Sequence, residues 1–368
     1  MNLNKIKKIV KNIMAIPLVR KLTRGATRML YQLLSLSKLF AIPYHLIFSR
    51  AFDREIFAYT KAIYAYQRKI RAIQPSNVLL RRNIHRLEKG LIMPNRRAVF
   101  ALDYIGETVE EYVKLMDQAG DAALEPCELQ WAHDVLNEYF SVTDASHPLL
   151  GRLKQQFESL PIPANLDQSK TSIPYERKAH ADLKIPTYKE FLDLSLKRRS
   201  VRWFKDQKVP REEVDKALQA AALAPSACNR QPFKYRIFDD PALVKEIANI
   251  PFGTAGYADN LPMVMVVVGD LSDYFSARDR HTIYVDASLS VMAFMYALET
   301  LGLSSVAINW PDFGLLESQM KKKLNLKAYE RPIIILGVGY AKEEGKIPFS
   351  QKKPLELLRS YNDLGRES

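Results

Sequence analysis

The chain has 368 residues, more than one ordinary domain of roughly 100–200 residues, so two or three folded units are expected. Hydrophobic residues make up 47% and charged residues 26%, which excludes a wholly disordered chain and leaves enough apolar side chain for a sizeable core. The net charge is +13; the only cysteines, Cys127 and Cys228, are far apart in sequence and supply neither a disulfide framework nor a CxxC metal or redox motif, which fits a reducing cytoplasm.

The charge is unevenly placed. Ten Lys or Arg and no acid precede Asp53, so residues 1–52 form a basic segment in which lysines and arginines alternate with apolar clusters at near-helical spacing. No clean apolar run or small-residue cleavage site follows the basic start, which argues against a signal peptide. Lys38, Pro43 and His45 interrupt the most apolar stretch, short of the ~20 apolar residues a spanning helix needs. Two readings stand: an amphipathic segment resting on the inner face of an anionic membrane, each nearby base contributing about 1 kcal/mol, or helices packed on the rest of the protein with a solvated basic face. Nucleic acid is not an expected partner, because no reading module accompanies the charge.

Residues 53–167 read as a helical domain. LLRRNIHRLEKGLIM (79–93) and FALDYIGETVEEYVKLMDQAG (100–120) place apolar residues three and four apart, as in helices with one buried face. Arg81, Arg82, His85, Arg86, Glu88 and Lys89 are expected to form a solvated face with ion pairs worth a few tenths of a kcal/mol each, with Gly90 ending the helix. An anion or partner site is the competing reading. His133 and His147 lack ligand spacing and no HExxH occurs, so no metal is expected.

Prolines among polar residues mark an extended linker over 168–187. Beyond it, 188–368 reads as an α+β domain with a mixed sheet flanked by helices. Residues 188–198 and 211–224 have helical periodicity; KYRIF, PMVMVVVGD, SSVAI and RPIIILGVGY read as strands. VDASLSVMAFMYALETLG (285–302) is apolar nearly all round, as a helix in a core or subunit interface is. The GVG of LGVGY is not a GxGxxG dinucleotide motif.

Two short motifs carry the chemistry. In KRRSVRWF (197–204), an extended chain places Arg198, Ser200 and Arg202 on one side, so that forked guanidinium donors and a hydroxyl suit a phosphate; a solvated basic helix end is the alternative. In APSACNRQPF (224–233), Ser226, Asn229 and Gln231 lie in a proline-bounded turn whose mixed donors and acceptors suit the edge of an isoalloxazine, or simply close the turn.

Together, in this order, RRSVRxF and APSxxNxQPF are similar to the FMN-binding signature of the nitroreductase family, over roughly residues 188–360. That resemblance implies a homodimer with FMN at its interface. Arg198, Arg199 and Ser200 would hold the ribityl phosphate with help from Lys352 or Lys353, and Arg202 would reach the ribityl chain or the N1/O2 end of the ring. Pro225, Ser226, Asn229 and Gln231 would contact the ring from the partner subunit, and Asn309 would lie beside the cofactor. It further implies NADH or NADPH as donor and ping-pong hydride transfer through flavin N5 to a small organic acceptor, with no catalytic side chain. Family members usually place a small residue where AINWP stands here, so Trp310 is expected to narrow the substrate pocket. Non-catalytic FMN binding in a membrane-surface sensor or scaffold, and a flavin-destroying or reductive-dehalogenating activity, are the alternatives.

Overall fold

The computed structural model describes residues 17–71, 76–116, 124–163, 166–167 and 169–364. The chain divides into two compact units, residues 1–60 and 61–368. In the first, α1 (Pro17–Leu34) is followed by α2 (Lys38–Pro43), whose N-cap Ser37 accepts from the Leu39 N–H, and by a π-helical turn at Tyr44–Ser49. Leu33, Leu39, Phe40, Ile47 and Phe48 stay exposed. Four of the ten bases expected to contact a membrane lie in residues 1–16, outside the described residues. No described helix is long and apolar enough to cross a membrane. Helix α3 (Asp53–Lys69) has Asp53 and Glu55 in its first turn and Arg68 and Lys69 in its last, matching the helix dipole.

The second unit opens with four helices around a core of their own: α4 (Val78–Leu91), α5 (Ile105–Met116), α6 (Pro126–Val142) and α7 (Pro148–Glu158). Leu80, Ile84, Leu87 and Leu91 recur at helical spacing on α4 and pack with Ile105, Val109 and Tyr112 of α5, Val135 and Tyr139 of α6 and Leu153 and Phe157 of α7. Asn77 caps α4 through the Leu79 and Leu80 N–H groups and is itself pinned by Glu111 and Glu128. Gly90 does not terminate α4, which runs on to Leu91. A Cβ there would lie 2.3 Å from the Phe100 ring, so close packing rather than helix termination requires the glycine.

After a segment whose only helical piece among the described residues is a 3-10 turn at Arg177–His180, a capping box between Thr187 and Glu190 starts α8 (Tyr188–Lys197). Then follow α9 (Arg211–Ala222), β1 (Phe233–Phe238), α10 (Pro241–Ala248), β2 (Met263–Asp270), α11 (Thr282–Thr300), β3 (Ser304–Asn309), α12 (Gly314–Leu324) and β4 (Glu330–Gly339). The strands form one sheet in the order β1-β2-β4-β3 with antiparallel ladders throughout; a single parallel bridge from Ser200 to Ser305 makes the pairing mixed. The continuous apolar run of β2 reflects burial on both faces. Met263, Met265 and Val267 pack with α9 and α11, while Val264, Val266 and Val268 pack with α10, α12 and Trp310.

Segment 200–205 crosses the end of this sheet. Val201 N–H donates to the Ser305 carbonyl, Lys205 N–H to Tyr340 and Lys342 N–H to Trp203. Phe204 is fully buried against Gly339, where a Cβ would come within 2.8 Å of its ring. The glycines of LGVGY therefore admit neighbouring side chains onto the sheet rather than cradling a dinucleotide.

The end of α3 is tied to the sheet domain by charge. Lys69 bonds Asp270 at 2.8 Å and Asp273 at 2.7 Å, and its side chain is largely buried. Those two carboxylates hold the lysine's pKa well above its usual value despite burial. Lys69→Met leaves both carboxylates facing one another without a cation and should cost about 3 kcal/mol, seen as a lowered thermal unfolding midpoint; an unchanged midpoint would show the pair contributes nothing.

Candidate functional site

The arginine motif begins where α8 ends. Arg198 is the C-cap residue, with its N–H on the Leu194 carbonyl, and its extended backbone leads into the Ser200–Ser305 bridge. Its Nε is buried without a hydrogen-bond partner, as is the Ser305 hydroxyl on the facing strand. Glu299, at the end of α11, lies within electrostatic reach of Arg198. Burial pushes its carboxyl pKa up, with the Ser304 hydroxyl, Lys197 and Arg198 acting in the opposite direction. A buried guanidinium N–H with no acceptor fits an oxyanion with several acceptor atoms.

The other residues of the motif have different tasks. Arg199 donates to the carbonyls of Pro348 and Phe349, fastening the segment that carries the exposed Lys352 and Lys353. Arg202 donates to the Ser200 carbonyl at 3.3 Å and stands 5.7 Å over the Tyr257 ring. Asn309 is the exposed last residue of β3. The Trp310 indole turns inward: it is 8% exposed, packs in the core with Ile308 and Leu316, and donates to Glu317 at 2.6 Å.

The second motif forms a compressed turn at the opposite end of α11. Cys228, Asn229 and Gln231 all have left-handed backbones, with φ of 54°, 50° and 50°. Only asparagine tolerates this readily, and each departure costs on the order of 1 kcal/mol. Hydrogen bonds hold the turn in that shape. Ala227 N–H donates to Asp286 on α11, Gln231 N–H to the Ser226 hydroxyl, and the Gln231 amide to the Ala222 carbonyl. Pro225 is exposed beside it. Burial raises the Asp286 carboxyl pKa, while the Ala227 N–H, the Tyr274 hydroxyl and Arg230 oppose that shift.

The helical bundle supplies the rest. Arg81 pairs with buried Glu128 at 2.7 Å and directs Nε and Nη2 onto the Asn229 carbonyl at 3.1 and 2.9 Å. Arg82 lies 4.8 Å over Phe275 and Arg86 3.5 Å over Tyr104. The RRNIHR stretch is thus a half-buried contact surface against the turn rather than the expected solvated face. Of its charges, His85 and Glu88 pair along the helix. The signal that distinguishes the two cases is the partner: Glu128 is nearly fifty residues away, and α-helical periodicity contains no information about it.

The two motifs do not meet within one chain. Asp286, which holds the turn, and Glu299, beside Arg198, are thirteen residues apart on α11, or about 20 Å at a rise of about 1.5 Å per residue. Apolar side chains remain exposed on α8, α11 and the C-terminal segment, among them Tyr188, Leu196, Val285, Leu289, Phe349 and Leu357. Among the described residues no cluster of His, Cys, Asp or Glu could hold a metal ion.

The profile of the nitroreductase family matches residues 196–255 and 249–340. A protein of Archaeoglobus fulgidus named as an NADH dehydrogenase/NAD(P)H nitroreductase is 30% identical over 161 residues, 42% of this chain and 87% of that one. Iodotyrosine deiodinase 1 of Sus scrofa is 26% identical over 198 residues, 46% of this chain and 67% of that protein. The solved structure of a nitroreductase family protein from Clostridium difficile 630 covers 47% of this chain and 99% of its own, with 27% identity and a TM-score of 0.41. In the portion that contains both motifs, this chain belongs to the nitroreductase family of oxidoreductases.

Proposed function

We propose that the chain is an FMN-dependent oxidoreductase that works as a homodimer, taking reducing equivalents from NADH or NADPH and passing them to a small organic acceptor. The observation that carries this reading is the buried Arg198 Nε without an acceptor, two residues before the Ser200–Ser305 bridge, in the motif whose resemblance implies a flavin-phosphate site. Arg198 and Ser200 would hold the phosphate. Arg199 would act by fastening the tail that brings Lys352 and Lys353 near it, and Arg202 would add positive charge toward the ribityl chain and ring. The strained turn from Ser226 to Gln231 would meet the ring of the partner subunit, since α11 separates it from the phosphate motif of its own chain. Bound FMN supplies hydride chemistry, alternating between nicotinamide and acceptor. The chain's part is binding, orientation and field; no side chain is assigned a proton or covalent role. The nitroreductase and deiodinase names of its relatives support an acceptor reduced at a nitro group or a carbon–halogen bond.

A second inference concerns residues 1–52. Exposed Leu33, Leu39, Phe40, Ile47 and Phe48, in a segment with ten bases and no acid, favour reversible contact with an anionic lipid surface.

Three measurements test these readings. Freshly purified protein should be yellow and bleach anaerobically with NADH or NADPH, whereas Arg198→Ala with Arg202→Ala should lose FMN and leave the helical bundle folded; a fully yellow double variant sinks the site. Arg81→Met should loosen the turn, with hydrogen exchange at 227–231 rising at least tenfold and FMN affinity falling by a similar factor; unchanged exchange would show that the turn holds itself. On vesicles containing phosphatidylserine, full-length protein should float and a chain starting at Asp53 should not; equal behaviour of the two removes the membrane reading.

A further inference from the structure

We infer that Arg82 and Arg230 form a binding site for the carboxylate of an organic acid, built by the helical bundle beside the Ser226–Gln231 turn. On the flavin reading above, on which the identity of the ligand rests, that acid is the electron acceptor.

Arg230 is 6% exposed, and its Nε is buried without a partner. Its guanidinium lies 4.9 Å over the Tyr274 ring and makes no ion pair or hydrogen bond with any described residue. Arg82 is half-buried 4.8 Å over Phe275, likewise without an acceptor, and within electrostatic reach of Arg86 and Arg230. Burial lowers the Arg82 pKa, and the charges of Arg86 and Arg230 lower it further. Two guanidiniums drawn partly out of water, repelling one another and without a bonded carboxylate among the described residues are an arrangement that a chain has little reason to build for stability alone.

Asp273 and Asp286 lie within electrostatic reach of Arg230, yet each has other partners and neither forms an ion pair with it. Asp273 is held by Lys69 at 2.7 Å, and Asp286 by the Ala227 N–H and the Tyr274 hydroxyl. Asp103 bonds Arg86 from an exposed position, and exposed Glu107 accepts from Asn83. None lies within ion-pair distance of Arg82 or Arg230. Stacking on an aromatic ring occupies the face of a guanidinium and leaves its N–H edge available, which is the edge that grips a planar carboxylate with two parallel bonds.

Position favours the acceptor over the cofactor's phosphate. The phosphate motif lies toward the far end of α11, about 20 Å away along that helix. Arg230, by contrast, directly follows Asn229, and Arg82 directly follows Arg81, whose guanidinium grips the Asn229 carbonyl.

The test compares matched ligands on the full-length protein. Calorimetry with benzoate and benzamide reads the site without turnover. Stopped-flow oxidation of the reduced protein by 4-nitrobenzoate and 4-nitrobenzamide reads it during turnover. Wild type should prefer each carboxylate at least tenfold, and Arg82→Gln should abolish the preference while leaving the unfolding midpoint and the rate of reduction by NADH or NADPH unchanged. Arg230→Gln, if folded, should do the same. Equal binding of benzoate and benzamide by wild type, or a preference that survives Arg82→Gln, overturns the site. A defect confined to reduction by the nucleotide also overturns it, assigning the arginines to a nucleotide phosphate. A colourless protein that still prefers benzoate through Arg82 sinks the flavin reading alone and leaves the carboxylate site standing.

Discussion

One guanidinium sets the relation between the two halves of the second unit. Arg81 is neutralised by Glu128 inside the helical bundle and spends its remaining donors on the Asn229 carbonyl, so a buried ion pair and a forked hydrogen bond share one side chain. Charge-assisted bonds of this kind contribute about 1.5–3 kcal/mol each. That is the same order as the strain of three left-handed residues in the turn they hold. The bundle thereby fixes the shape of a segment that the sheet domain alone would leave strained.

Lys69 repeats the device from another helix, bridging to Asp270 and Asp273 at the end of β2. One cation ends α3 and the other belongs to the bundle, both acceptors belong to the sheet domain, and removal of either lysine or arginine leaves buried carboxylate or carbonyl unsatisfied. Such contacts position more than they stabilise. Their effect is to hold the bundle's arginines against the sheet domain, with Arg81 on the Asn229 carbonyl and Arg82 over Phe275.

The four strands, the long apolar helix α11 and both motifs were legible because each is local: period two, an all-round apolar run, and short runs of characteristic residues. Gly90 was misread because a glycine near the end of a helix is usually a terminator, and only the fold reveals Phe100 against it. Trp310 was placed by analogy with a small residue, and its indole turned inward to Glu317. The arginines of α4 were read as solvated because sequence spacing reports neighbours on the same helix, whereas their partners, Glu128, Asn229 and Phe275, come from elements far along the chain. What escaped the sequence was in each case a contact between distant segments.

The length of α11 has a consequence beyond geometry. A nineteen-residue helix does not bend to bring its ends together, so on the dimeric reading proposed above a ligand that touches both the arginine motif and the strained turn would engage two chains. On that reading its occupancy would be coupled by mass action to association: ligand would drive assembly, assembly would raise affinity, and dilution would weaken both. For such a molecule the cellular concentration of the protein itself becomes a control on how much of it is competent.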